Sequence, residues 1–378
     1  MKRLLILILL VLAGCGDRES EQTPKEVIEQ VNADGTITDQ QAEILSTTKV
    51  LYLSGLKSIT DRQAESLSQV VETLMLNGLT SISDKQAESL SKAKKLFLGR
   101  LTSISDEQAE SLSKVEGLSL NSLATITDPQ AESLSKVKSL VLNGLASITD
   151  VQAENLGGVM WHLALDGLTS ITDPQAESLS KVERLSLYSL TSITDAQAES
   201  LSKVELLSLR GLTSITDKQA EILSKRLSGL TSLTSITDRQ SEMLSSYKHI
   251  DLSRLPNITD QQAKNLSKVK GSLNLSGLTE ITDEQAAILG NCECYLILEG
   301  LTSITDSQAE SLSRITSLSL NGLTSITDIQ AESLGKVKQL ELDGVTSISE
   351  KQAEHLGKVR ILGISKDLKP LIDKYKKQ

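Results

Sequence analysis

Cysteine is nearly absent from this chain: there are three in 378 residues. Cys15 ends an N-terminal apolar segment, so only Cys292 and Cys294 remain and no disulfide framework can hold the molecule together. One residue separates them, which disfavours an unstrained bridge, and no histidine or third cysteine lies nearby to complete a metal site. Cys292 falls near a position that Val usually occupies and reads as a small buried apolar residue. Histidine is equally scarce. His162, His249 and His355 lie four or more repeat units apart, about 20 Å at the spacing of stacked strands, too far to share a metal or a proton. Basic charge is also in deficit: 39 Lys and Arg face 49 Asp and Glu, for a net charge of −10. That balance argues against nucleic acid, which needs a basic patch, and against the folded body lying flat on anionic lipid. There is no glycine-rich phosphate loop, and no Ser, Asp or Glu stands out as a catalytic group, because each has copies in every unit. The expectation is a non-catalytic protein without metal or cofactor.

The first fifteen residues have the layout of an export signal. Lys2 and Arg3 precede an apolar run from Leu4 to Val11, and the small residues Ala13 and Gly14 follow. The run is too short for a membrane-spanning helix, which needs about 20 apolar residues. Leu12-Ala13-Gly14-Cys15 resembles the lipobox of bacterial lipoproteins at every position. The resemblance implies that residues 1–14 are a signal peptide and that Cys15 becomes the acylated first residue. Gly16 in place of Asp then disfavours retention in the inner membrane. Residues 15–26 are polar and read as a flexible tether. The expected location is the bacterial cell envelope, at the outer membrane or cell surface rather than the inner membrane.

What the chain has in abundance is one sentence, repeated. An acidic anchor recurs fifteen times from Asp39 to Glu350 at spacings of 21 to 23 residues, mostly 22. A fixed period of this size signals a solenoid, in which each unit buries its apolar face against its neighbours. In the unit around Asp217, Leu207-Ser208-Leu209 alternates with period two and suits a short strand. Gly211 allows a turn, and Leu212 and Ile215 point inward. Thr216-Asp217-Lys218-Gln219 fits a capping box that opens a short helix. The competing reading makes Asp217 the cap, which would put Pro129 and Pro174 at the first helical position. The Ile, the Gln and the helix Leu occur in all fifteen units, and the Ala before the helix Leu is replaced once, by Ser241.

The pattern L-x-L-x-G-L-T-S-I-T-D-x-Q-A-E-x-L resembles a leucine-rich repeat, nearest the cysteine-containing subclass with I-T-D, with Leu in place of that Cys. The resemblance implies an α/β solenoid: a right-handed curved horseshoe of about fifteen repeats, short parallel strands on the concave face and short helices on the convex face. Strands about 4.8 Å apart facing helices about 10 Å wide must curve, giving an inner arc of roughly 70 Å. The units span 36–363. Residues 27–35 are expected to form an N-terminal cap, its helix starting at Thr23-Pro24. Residues 364–378 are expected to form a C-terminal capping helix running from Ser365-Lys366-Asp367 to Tyr375.

Comparison among units separates scaffold from surface. The outward position between the two strand leucines begins Tyr52, Met75, Phe97 and turns polar after Ser119, Val141 and Ala164. The first three predict a contiguous apolar ladder, and Trp161 and Tyr188 fall beside the same strands. Exposed aromatics on a rigid sheet are typical interface anchors. The expected ligand-binding residues are therefore Tyr52, Met75, Phe97, Trp161 and Tyr188, on a monomeric solenoid whose partner is a protein. The alternatives are a structural spacer without a ligand, and an ice- or ordered-water-binding surface built on the repeated T-S-I-T hydroxyls.

Overall fold

The computed structural model describes residues 22–70, 72–223 and 230–376. The expected signal peptide, Cys15 and the first part of the tether lie outside these residues. Fifteen seven-residue helices begin at the fifteen anchors, the first Asp39–Leu45 and the last Glu350–Leu356. Each of the capped starts described is the same reciprocal box. Thr327, with extended backbone, accepts from the Gln330 amide at 3.1 Å, while the Gln330 side chain accepts from the Thr327 amide at 2.9 Å. The anchor Asp is thus the first helical residue and not the cap. Pro129 and Pro174 stand second, where a helix has no use for their missing N–H.

The Gln has a further task that its sequence position alone does not reveal. Its free amide end donates to the carbonyl of the Ile in the preceding unit, from Gln63 to Ile37 at 2.8 Å through to Gln352 to Ile326 at 2.9 Å. Each amide therefore caps its own helix and stitches two units together. The anchor Asp acts alongside it, accepting from the next unit's cap hydroxyl, as Asp306 does from Thr327 at 2.9 Å and Asp84 from Ser105 at 3.0 Å. At the one helix where Ser241 replaces Ala, the buried hydroxyl donates to the Asp238 carbonyl at 2.6 Å and accepts from Asn265 at 3.0 Å. The buried exception is fully partnered.

Strands of three or four residues precede these helices. They are β1 Val50–Tyr52, β2 Thr73–Met75, β3 Lys95–Phe97, β4 Gly117–Ser119, β5 Ser139–Val141, β6 His162–Ala164, β7 Arg184–Ser186 and β8 Leu206–Ser208, then β9 His249–Asp251, β10 Ser272–Asn274, β11 Tyr295–Ile297, β12 Ser317–Ser319, β13 Gln339–Leu342 and β14 Ile361–Ile364. All pair in parallel, β1 to β8 in one sheet and β9 to β14 in a second. Every central residue from Leu51 to Leu340 is buried, so the core is a column of Leu, Ala and Ile running the length of the solenoid. Between the two sheets lies the unit with the 21-residue spacing from Asp217 to Asp238. The convex side carries through it: Gln240 reaches the Ile215 carbonyl at 2.8 Å, and Thr237 reaches Asp217 at 2.6 Å.

At the N-terminal end the helix Pro24–Asp34 stands in for a missing unit. Thr23 and Glu26 form its capping box, so it begins inside the stretch expected as tether. Val27 and Val31 are fully buried against the first repeat. Gln30 accepts from Gln41 at 3.2 Å, in the role the preceding Ile carbonyl plays elsewhere. At the other end the helix is Lys369–Asp373, shorter than expected. Residues 366–368 form a turn instead, because Pro370 has no N–H to bond the carbonyl four residues back.

The cysteines depart from the sequence expectation. Cys292 and Cys294 are joined by a disulfide, with their Cα atoms 5.3 Å apart. The chain bends just before β11. This shortens the span between alternate residues to within the bridging range, and both side chains point into the core, 4 % and 3 % exposed.

Two outcomes follow. Gln330→Ala leaves two partly buried backbone groups without their partner and is expected to lower stability by about 2 kcal/mol in urea unfolding, whereas Lys351→Ala, which loses only an exposed ion pair to Asp328, changes it by less than about 1 kcal/mol. Equal effects would mean that the amide stitch contributes nothing. A Cys15→Ser chain, unfolded without reductant, is expected to show no titratable thiol, and two after reduction.

Candidate functional site on the concave face

Residues flanking each central strand leucine face outward in two rows, and register fixes who neighbours whom. The second row runs Tyr52, Met75, Phe97, Ser119, Val141, Ala164, Ser186, Ser208 across directly paired strands. The expected ladder of Tyr52, Met75 and Phe97 is therefore contiguous. It is also uncovered at its start. Asn32 of the N-terminal helix donates to the Tyr52 carbonyl at 3.0 Å and accepts from the Gly55 amide at 2.8 Å, which closes the sheet end while the Tyr52 side chain stays 53 % exposed.

Trp161 and Tyr188 lie off this row, one residue before β6 and two after β7. They border a groove of about 850 Å³ over β3 to β8, which Phe97 closes at one end. Tyr52 and Met75 lie outside that groove. The structure thus divides the five sequence-derived residues into an N-terminal ladder and a central groove, with Phe97 in both. Two of the groove rings carry a cation: Lys138 sits 5.3 Å from the centre of Trp161, and Arg210 sits 5.1 Å from the centre of Tyr188.

Sequence reasoning missed the polar members of the groove. Lys138 pairs with Glu116 at 3.1 Å and holds that carboxyl below its usual range. Arg184 lies 3.7 Å from Glu183. Asp166 accepts from the Ser186 hydroxyl and from the Tyr188 amide. Burial is the main influence on His162 and pushes it below its ordinary value; Asp166 opposes the shift and Arg184 adds to it. The signal that could have marked this place was a break in the pattern. Gly117, Ser119 and Ser139 make the outward rows small just past Phe97, and Ala164, Ser186 and Ser208 keep the second row small beyond Val141.

The concave face of β9 to β14 has a different character. Tyr295 donates to Glu341 at 2.9 Å, and Glu299 accepts from Ser319 and from Asn321 at 3.0 Å each. Burial first, then the bond to Glu341, pushes the Tyr295 hydroxyl up to about 12. The row here is not uniformly polar, since Ile297 occupies it in β11. Among the described residues no group of three His, Cys, Asp or Glu could hold a metal ion.

No family model matches the chain, and no curated protein matches it in sequence. Solved structures do resemble it. An internalin from Listeria monocytogenes is 19% identical over 86% of this chain and 94% of its own, with a TM-score of 0.51. Toll, in its complex with Spatzle from Drosophila, is 14% identical over 82% of this chain and 54% of its own, with a TM-score of 0.50. TLR13, in a complex with ssRNA13, is 17% identical over 90% of this chain and 55% of its own, with a TM-score of 0.49. The chain thus spans about half the length of the last two and nearly the whole of the internalin. Together with the stacked parallel strands and helices, the likeness to the internalin and to Toll establishes the fold as an α/β leucine-rich-repeat horseshoe.

Proposed function

We propose that this chain is a lipid-anchored, non-catalytic protein-binding module of the bacterial cell envelope that engages its partner with the N-terminal half of its concave face. The observation that carries the reading is the ladder Tyr52, Met75, Phe97: adjacent strands align these side chains, and the N-terminal cap leaves the first of them in solvent. Contiguous exposed apolar groups on a rigid sheet cost little conformational entropy when a partner covers them. The toll-like and internalin neighbours share the scaffold, and Toll is seen with a protein partner, Spatzle. The envelope location rests on the lipobox-like Leu12-Ala13-Gly14-Cys15 and is supported by the Cys292–Cys294 bond, which forms in oxidising compartments outside the cytosol. Lipid at Cys15 would attach the solenoid at the outer membrane or the cell surface.

A spacer role is favoured for the other half. Its concave polar groups are satisfied by one another, as in the Tyr295–Glu341 and Glu299–Ser319 bonds, and offer little to a ligand. In the ordered-water reading the cap hydroxyl of each T-S-I-T is already engaged within the protein, as Thr172 donates to Asp150 at 3.0 Å and Thr194 to Asp173 at 2.9 Å, which leaves the exposed first Thr and Ser, such as Thr169 and Ser170, to form the ladder.

Two experiments test the proposal. Cys15→Ser is expected to move the protein from the membrane to the soluble fraction, and protease added to intact cells is expected to remove residues 300–378 of the unsubstituted chain. Protection until lysis would place the solenoid in the periplasm. A photo-crosslinking residue at position 52 is expected to give a discrete protein adduct in living cells, while one at the exposed convex Val151 gives none. No adduct at either position would leave the spacer role for the whole chain.

A further inference from the structure

The groove over β3 to β8 differs from the rest of the concave face in its floor. Gly117, Ser119, Ser139, Ala164, Ser186 and Ser208 are all small, while Phe97, Trp161 and Tyr188 stand around them. Its lining carries Lys95 and Arg184 against Glu116, Asp166 and Glu183, and Lys138 and Arg210 stand over the rings of Trp161 and Tyr188. Each of those carboxylates has a partner within the protein. A charged ligand that engaged Glu116, Glu183 or Asp166, or the cations Lys138 and Arg184, would have to displace a bond already made.

One group in the groove is unsatisfied. The Ser208 hydroxyl is the single buried side-chain polar atom without a hydrogen-bond partner among the described residues, and Ser208 is 9 % exposed. Register explains why. Ser186 and Ser319 hold the same place in their strands, and each donates to an acid two positions past the outer strand residue of the preceding unit, Asp166 and Glu299. The corresponding position before Ser208 is Tyr188. One replacement both raises an aromatic wall and leaves a hydroxyl on the floor with nothing to bond. A buried hydroxyl in that state is unfavourable until a ligand satisfies it.

We propose that this groove binds a neutral oligosaccharide. Sugar rings present apolar C–H faces and a rim of hydroxyls, which matches aromatic walls over a serine floor. The exposed rings of Trp161 and Tyr188, 49 % and 40 % exposed, take the C–H faces. The floor hydroxyls and the Asp166–Ser186 pair exchange hydrogen bonds with the sugar, and the Ser208 hydroxyl, covered as it stands, turns toward the groove to gain its missing partner. A purely apolar ligand would leave Ser208 unsatisfied. A peptide lying across the strands would find the sheet's own amides already paired strand to strand. Five strand spacings, about 24 Å, give room for several linked rings. This site is separate from the Tyr52–Met75 end of the protein-docking ladder, so the two can fail independently.

Trp161 is the only tryptophan in the chain, so its fluorescence reports on this groove alone. The full chain, in a detergent without a sugar headgroup, is applied to an array of neutral and acidic glycans, and the hits are then titrated against Trp161 emission. A neutral glycan is expected to bind and to shift the emission saturably. Tyr188→Ala is expected to weaken it about tenfold or more, and Ser208→Ala about fivefold, while Tyr52→Ala leaves it unchanged. Ser208→Ala should melt no lower than the unsubstituted protein, because it removes an unpaired group; this keeps the result distinct from a folding defect. The proposal is overturned if no neutral glycan binds, if only acidic glycans bind, if a hit leaves Trp161 emission unmoved, or if Tyr188→Ala and Ser208→Ala bind as well as the unsubstituted chain. A protein crosslinked from position 188 without any glycan binding would reassign the groove to protein.

Discussion

A buried or half-buried glutamine amide in every unit holds this solenoid in register. Its oxygen takes the N–H of its own helix cap, and its nitrogen reaches the isoleucine carbonyl one unit back, as Gln175 does from Thr172 to Ile148 at 3.0 and 2.9 Å. Hydrophobic burial supplies the driving force for stacking but is indifferent to small slips. The amide is not, because an offset would strand a buried donor and a buried acceptor together. The anchor acid adds a second stitch at the surface. This explains why the acid is repeated although it caps nothing, and why a Ser can replace the Thr beside it without loss.

Such a constraint keeps the convex side in phase from unit to unit. Through the unit of 21-residue spacing the stitches at Gln240 and Thr237 persist. Unit length can therefore vary where the strand enters, provided the cap and its amide stay in phase. The ends obey the same rule. Gln30 on the N-terminal helix supplies the acceptor that a preceding isoleucine would have offered.

Freed from holding the stack, the concave face can differ from unit to unit. Three kinds of surface lie along it: an apolar ladder at the start, a groove with a small polar floor and aromatic walls in the middle, and a self-satisfied polar stretch beyond β9. The change from Asp166 to Tyr188 at one repeated position shows how little alteration separates them. With Asp there, the serine on the next strand is paired; with Tyr, it is not, and the wall of the groove is in place.

Most of the architecture was legible in the sequence because its determinants are local and repeated fifteen times. The caps at Thr and Ser, the buried Leu of each strand and the inward Ala all stand where the period puts them. The ladder from Tyr52 to Phe97 was legible for the same reason, since parallel pairing at constant period aligns equivalent residues. What the tertiary structure decided depends on contacts between units or on departures from the period. The second bond of the glutamine spans about one unit and is invisible within a single repeat. Trp161, Asp166, Tyr188 and Ser208 occupy three different repeat positions in three successive units, and only lateral stacking gathers them around one groove. The bend that brings Cys292 to Cys294, and the turn that Pro370 forces ahead of the last helix, lie where the repeat pattern breaks or has ended. There, chain geometry rather than periodicity sets the structure.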